Sequence, residues 1–177
     1  MNIEAFPEIE TLRLILKKPE TEDWPTVLFL RSNPEVNRYV NRPSAETKSK
    51  ALDFINRISA DMSNGKIIMW FIFDKAKNEM IGTICLWNFS EDRKSAELGY
   101  DLKPDFQGQG LMNEALQTVV EYGFKHLHLN KIEAFTSHEN QSSLKLLERN
   151  NFILNESRRD LANPDNIIFE CLRNCWK

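Results

Sequence analysis

Much that would narrow this chain's role is scarce in it. No stretch approaches eighteen consecutive apolar residues, so no membrane-spanning helix and no membrane partner are expected. There are three cysteines, Cys85, Cys171 and Cys175. An odd number without a signal sequence argues for reduced thiols rather than a disulfide framework. Cys171 and Cys175 stand four apart, and His126, His128 and His138 complete no Cys/His set of zinc spacing, so no metal is expected. Lys and Arg total 23 against 26 Asp and Glu, a net charge of −3, which supplies no broad basic field for nucleic acid. The opening residues Met1 to Glu8 lack the apolar core of a signal peptide, so a cytoplasmic location is expected. No repeat, low-complexity tract or linker divides the chain. What is left is 177 residues, 41% hydrophobic and 28% charged, sized for a single domain over 1–177.

The apolar pattern then orders the elements. Glu10 to Lys18 alternates through Leu12, Leu14 and Leu16 and reads as a strand with one wet face. Thr21 is placed to cap a short helix carrying Trp24, Val27, Leu28 and Leu30, and Ser44 to cap a second ending near Gly65. Ile67–Asp74 and Glu79–Phe89 flank a polar turn and read as a hairpin. A strand at Ala96–Leu102, a long helix over about Gly108–Leu127, a strand at Lys131–Ser137 and a helix at Ser142–Arg149 follow. Asn150-Asn151 is its expected stop, since Asn151 tolerates the left-handed conformation. Phe152–Ser157 and Asn166–Leu172 form a last strand pair. This order predicts an α+β fold: a mixed, mostly antiparallel sheet of about seven strands with about four helices.

The chain is organised around Glu97 to Leu116. Pro104 stops the strand because it has no N–H to donate. Gly108 and Gly110 let the backbone turn in the open, and from Leu111 the apolar residues fall at helical spacing. A glycine loop feeding a helix start presents unpaired N–H groups and the positive end of the helix dipole, which suits a phosphate. A P-loop would need Gly-Lys-Ser/Thr, which is missing. A dinucleotide fingerprint would need a third glycine where Asn113 stands and would follow the first strand; here the loop follows the fourth, although Glu133 lies about the right distance beyond it.

The segment Gln107-Gly108-Gln109-Gly110-Leu111-Met112 resembles the coenzyme A pyrophosphate loop of the GNAT acetyltransferase superfamily, Gln/Arg-x-x-Gly-x-Gly/Ala, with Met112 departing at the last position. Thr11-Leu12-Arg13-Leu14-Ile15-Leu16, Glu97-Leu98-Gly99-Tyr100, Asn140-Gln141-Ser142-Ser143 and Leu147-Glu148-Arg149-Asn150-Asn151-Phe152 resemble, in order, further segments of the branch that acetylates ribosomal-protein N-termini (RimJ/RimL-like). The match runs from about Thr11 to Leu172. It implies the GNAT fold, with its central strand pair, Glu97–Leu102 and Lys131–Ser137, splayed apart.

The resemblance also implies acetyl transfer from acetyl-CoA, as cosubstrate, to an amine that attacks directly. It places the pyrophosphate on Gln107, Gly108, Gln109, Gly110, Leu111 and Met112, and the pantetheine on the backbone of Tyr100, Asp101 and Leu102. Asn140 is placed near the pantetheine or acetyl group, a site where it also suits helix capping, and Ser143 near the sulfur as proton donor. Some relatives use a tyrosine as that acid, and the resemblance puts Phe169 in its place. Glu97 is the candidate base, or else an ordinary solvated strand residue. An α-amine is about 10–20% neutral at pH 7 and a lysine side chain about 0.04%, so an N-terminal amine needs only a modest base.

The acceptor site is expected between the Trp24-to-Gly65 helices and the Arg158-to-Asp165 loop. Trp24, Tyr39, Trp70 and Trp87 are candidate walls, and Asp23 and Glu35 candidate attractors of an amine. The leading reading is acetylation of a protein N-terminal α-amine. The alternatives are a small-molecule amine (polyamine, aminoglycoside or amino acid derivative) and a non-catalytic acyl-CoA-binding regulator, which Phe169 keeps open. A monomer or a homodimer fits equally.

Overall fold

The computed structural model describes residues 6–176. The part of the N-terminal reading that falls on residues 1–5 lies outside them. One eight-stranded sheet runs in the order β1-β2-β3-β4-β5-β6-β8-β7. Its strands are β1 (Ile9–Glu10), β2 (Leu14–Lys17), β3 (Ile67–Asp74), β4 (Glu79–Trp87), β5 (Ser95–Leu102), β6 (Lys131–Ser137), β7 (Ile153–Leu154) and β8 (Asn166–Leu172). The helices are α1 (Trp24–Ser32), α2 (Lys48–Ser63), α3 (Leu111–Lys125) and α4 (Gln141–Arg149).

The expected strand Glu10–Lys18 is two strands. The chain turns at Thr11 to Arg13, where the Thr11 N–H donates to the Leu14 carbonyl at 2.9 Å, and Leu12 is left 88% exposed. Alternation alone does not register such a turn, because Leu12 fits the period whichever way it points. The last strand pair is shorter at its first member than expected, beginning at Ile153 and ending at Leu154. Thr21 sits inside a 3-10 turn, Thr21–Asp23, and caps nothing. The cap of α2 is Thr47, whose side chain accepts from the Lys50 N–H, and not Ser44. The long helix begins at Leu111, leaving Gly108 and Gly110 in the loop ahead of it. Asn151 does take the left-handed conformation at the end of α4, with φ at 61°.

The sheet carries a core on each face, and period-two alternation decides which residues serve which. Ile68, Trp70 and Ile72 of β3 point to the face covered by α3, where they meet Leu116, Val119 and Val120. Ile67, Met69 and Phe71 point to the other face and pack against Ile55 and Ile58 of α2. Each such fully buried side chain contributes roughly 1.5–3 kcal/mol relative to exposure. Every neighbouring pair is antiparallel except β5 and β6. These two pair in parallel only at Ser95↔Lys131, Ala96↔Ile132 and Glu97↔Glu133. Beyond Glu97 they diverge, so the splay lies where the sequence places it. β5 stays paired to β4 as far as Leu102, which leaves its other edge facing the gap.

Candidate active site

The loop that enters α3 is built from backbone. Gly108 and Gly110 have φ of 73° and 76°, a region that costs other L-residues about 1–2 kcal/mol. A Cβ added at Gly108 would meet nothing within 4 Å, so that side of the loop is open. Gly110 is the N-cap of α3 and has no side chain to satisfy the first-turn N–H groups. Among the described residues, no protein acceptor takes the N–H groups of 108–112. Unpaired donors with the positive end of a fifteen-residue helix behind them fit a pyrophosphate. Gln107 faces inward instead: its side chain donates to the Leu102 carbonyl at 3.0 Å and ties the loop to the end of β5.

Arg13 and Glu114 brace this loop, a role not foreseen for either. Glu114 accepts from the Thr11 hydroxyl, the Arg13 N–H at 2.8 Å and the Arg13 Nε at 2.7 Å. Arg13 Nη1 donates to the Gln109 carbonyl at 2.8 Å, and its Nη2 lies beside Gly110. These bonds hold the Glu114 carboxyl below its ordinary range, against the opposing pull of partial burial, which is the largest single influence on it. The available signal was the Thr11-x-Arg13 segment together with a glutamate in the first turn of α3, whose charge suits that helix end.

On the gap itself, residues of β5 alternate between two faces. Tyr100 points towards α4, and its hydroxyl lies 2.7 Å from the Ser143 Oγ. Burial pushes the phenol up to about 12, so it keeps its proton, while the Ser143 contact pulls weakly the other way. Ser143 is buried in the first turn of α4, where the Asn140 side chain caps the helix by accepting the Ser143 N–H at 3.2 Å. The structure thus joins Tyr100, Asn140 and Ser143, with Tyr100 making its contact through the side chain. Phe169 is 3% exposed, pairs with Ala134 of β6 and belongs to the same core that Tyr100 packs against.

Glu97 and Asp101 point the opposite way, into a cleft of about 800 Å³. Its walls include Leu30 and Arg31 of α1, Phe54 and Arg57 of α2, and Asp160 and Asn163 of the loop after β7, as the sequence placed it. Tyr39 and Trp87 line it. Trp70 does not: it is fully buried on the α3 face and donates to the Pro7 carbonyl. Trp24 packs on the core side of α2 beneath Lys48, and neither Asp23 nor Glu35 reaches the cleft wall. The carboxylates that β5 contributes to the cleft wall are Glu97 and Asp101. Glu97 accepts from the Asn88 side chain, and burial raises its carboxyl above the ordinary range, with Asn88 opposing and Glu133 adding to the rise. Asp101 is engaged by Arg42 at 2.7 Å. Cys85 on the floor is an inert thiol, pushed up to about 12 by burial. Arg158 anchors the Asp160 loop by binding Glu133 and Glu170 of β6 and β8.

Known proteins share this architecture. The chain is 37% identical over 142 residues to the N-acetyltransferase p20 of Bacillus licheniformis, itself uncharacterised, a match covering 80% of each chain. A ribosomal-protein-S5-alanine acetyltransferase from Vibrio fischeri superposes with a TM-score of 0.82 over 97% of this chain and 99% of its own, at 19% identity. A RimL ribosomal L7/L12 α-N-protein acetyltransferase in complex with coenzyme A superposes with a TM-score of 0.78, covering 94% and 97% of the two chains at 20% identity. At these identities the structures bear on the fold alone. No helix among the described residues is long and apolar enough to cross a membrane. The acetyltransferase (GNAT) domain family model matches residues 13–153, the span from the loop-bracing Arg13 through the splayed strands to the start of β7. The chain therefore belongs to the GNAT acetyltransferase family and is an acetyl-CoA-dependent N-acetyltransferase.

Proposed function

We propose that the acceptor is an N-terminal α-amine of a protein or peptide, in the manner of the ribosomal-protein branch. The observation that carries this reading is the chemistry at the inner end of the cleft. Where β5 and β6 part, the base available is Glu97, with a modestly raised carboxyl and no His or Lys beside it among the residues lining the cleft. A carboxylate, directly or through one water, suffices for an α-amine of pKa near 8 but is poorly matched to a lysine side chain near 10.4. The cleft runs outward from this point between α1, α2 and the Asp160 loop, with space for several residues of an extended chain.

Acetyl-CoA supplies the acyl group and a thiolate leaving group. The residues of this chain divide the remaining work. The loop 107–112 holds the pyrophosphate through N–H groups and the α3 dipole, with Arg13 fixing the loop's shape. The free edge of Tyr100, Asp101 and Leu102 bonds the pantetheine as an added strand would, and its N–H groups polarise the thioester carbonyl. Glu97 takes the proton from the attacking amine on one face of β5. Tyr100, backed by Ser143, gives a proton to the departing sulfur on the other face. The structure supports this division because the two groups lie on opposite sides of one strand.

Acetyl-CoA turnover with a panel of short peptides tests the reading. Acetylation is expected at the α-amine, with internal lysines unmodified. Turnover confined to polyamines, or to lysine side chains, would overturn it.

A further inference from the structure

The outer half of the cleft holds charges that acetyl transfer does not require. Arg31 of α1 lies with its guanidinium 4.2 Å from the centre of the Phe54 ring and donates from Nη2 to the Pro43 carbonyl at 2.8 Å. Arg57, one turn along α2 at an exposed position, lies 5.5 Å from the centre of the same ring. Both line the cleft. Among the described residues, neither has a carboxylate partner. The third cleft arginine, Arg42, is different. It is held by Asp101 at 2.7 Å, by the Asn37 side chain and by the Leu30 carbonyl, so its charge is neutralised and its donors are used. Burial and the neighbouring Arg42 lower Arg31 to about 10. Asp101 is bonded to Arg42 and not to Arg31, so a guanidinium in that position gains from a further anion.

The carboxylates lie at the other end. With Asp101 paired, the acids left on the cleft wall are Glu97 and Asp160, and Asp160 is engaged by the Asn166 side chain. Glu97 and Asp101 are four residues apart on one strand, roughly 13 Å at about 3.3 Å per residue. Arg42 bonds both Asp101 and the Leu30 carbonyl, so Arg31, the next residue of α1, and Arg57, which shares the Phe54 ring with it, lie at the Asp101 end of that span. The cleft is thus polarised, acidic at Glu97, where the strands part, and basic at Arg31 and Arg57.

We propose that Arg31 and Arg57 form an anion subsite, and that the acceptor carries a carboxylate or phosphate roughly 13 Å from the amine that is acetylated. This rests on the reading of the cleft as the acceptor site and narrows its substrate class. An acidic residue near the fourth position of an extended peptide fits the spacing, at about 3.3–3.6 Å per residue. A polyamine does not, since its second ammonium would meet two guanidiniums.

The test separates the subsite from the peptide reading. One arm compares kcat/KM for peptides with Glu, Gln or Lys scanned through positions two to four. The other compares eleven-carbon chains with an amine at one end and a carboxylate, a methyl group or a second amine at the other. In both, the anionic acceptor is expected to exceed the neutral one about tenfold and the cationic one to fall about tenfold below it, the size of one charge-assisted contact. Arg57→Glu, at an exposed helix position, should reverse the order, and Arg31→Gln with Arg57→Gln should erase it, with acetyl-CoA affinity unchanged. Inert peptides beside a preserved order among the alkyl amines would sink the peptide reading and leave the subsite standing. If no acceptor in either arm is turned over, calorimetry of the amino carboxylate against the enzyme–coenzyme A complex decides: binding lost in the double variant supports the subsite, and no binding overturns it. Equal rates for the three charge types would also overturn it.

Discussion

On the side of the sheet we assign to the coenzyme, the surface offered is main chain: the N–H groups of 108–112, the unpaired edge of β5, and the first turn of α3. On the side we propose for the acceptor, it is side chains drawn from α1, α2, β4, β5 and the Asp160 loop, separated by more than a hundred residues of sequence. The difference follows from the ligands. A pyrophosphate and a pantetheine are invariant, and backbone donors recognise them with little dependence on side-chain identity. An acceptor varies, and variation is easiest to accommodate where each contact is one replaceable side chain.

The sharpest way to break this contrast is at Gly110. Gly110→Glu forces a side chain into a φ of 76° and sets a carboxylate beside the presumed phosphate position. We expect coenzyme affinity, read by calorimetry, to fall about 100-fold or more, from left-handed strain of about 1–2 kcal/mol together with charge repulsion. Gly110→Ala, which lacks the charge, should lose far less. Affinity retained in the Glu variant would mean that the loop does not hold the phosphates.

Next in size is Tyr100. Tyr100→Phe removes the hydroxyl 2.7 Å from Ser143 and keeps the ring. A general acid contributes about 10²–10⁴ in rate, so kcat should drop by about 100-fold with the KM for acetyl-CoA unchanged. Ser143→Ala, which leaves Tyr100 in place, should cost about tenfold. An unaltered kcat in both variants would show that the sulfur is protonated by another group or by water.

Glu97 tests the opposite face of the same strand. Its carboxyl is raised above the ordinary range by burial, so it becomes an active base only as pH climbs through that raised value. The α-amine titrates higher, near 8. The logarithm of kcat/KM should therefore rise with slope two at low pH, where both protons must leave, and with slope one between the two values. Glu97→Gln should show slope one throughout and a plateau about tenfold lower. Tyr100, held at about 12, should add no alkaline limb below about pH 11. A full wild-type profile in the Gln variant would leave Glu97 as a strand residue with no part in catalysis.

What the sequence disclosed divides along the same line as the two surfaces. Loop 107–112 and the Asn151 stop were legible because each depends on local backbone conformation, which glycine, proline and asparagine announce, while the splay after Glu97 came from the family resemblance. The acceptor walls were not. Trp24 and Trp70 have the composition of a binding wall, yet the alternation of β3 turns Trp70 to the α3 face, and only the sheet register reveals it. Arg42, Arg31 and Arg57 fall in a loop and on two helices, with no spacing that relates them. The α2 cap was missed by three residues because Ser44 and Thr47 both suit the role, and Pro43 before Ser44 gave no help in choosing.

Asn140 stands where the two kinds of surface meet, and the smallest predicted effect is the most discriminating there. Its side chain caps α4 and so sets the position of Ser143, while the coenzyme assignment gives the same amide a contact with the acyl or pantetheine region. Asn140→Ala removes both, and loss of a cap costs about 0.5–2 kcal/mol, a fall of roughly 2–4 °C in Tm per kcal/mol for a domain of this size. Asn140→Asp restores the cap, since aspartate caps as well as asparagine, but offers no amide N–H and adds a negative charge. We expect the Asp variant to recover the Tm and still show a raised KM for acetyl-CoA, by about threefold, a little under 1 kcal/mol. Recovery of both would confine Asn140 to the cap. Its influence on the reaction would then pass only through the placement of Ser143, and the boundary between main-chain and side-chain recognition would run between Leu102 and Asn140.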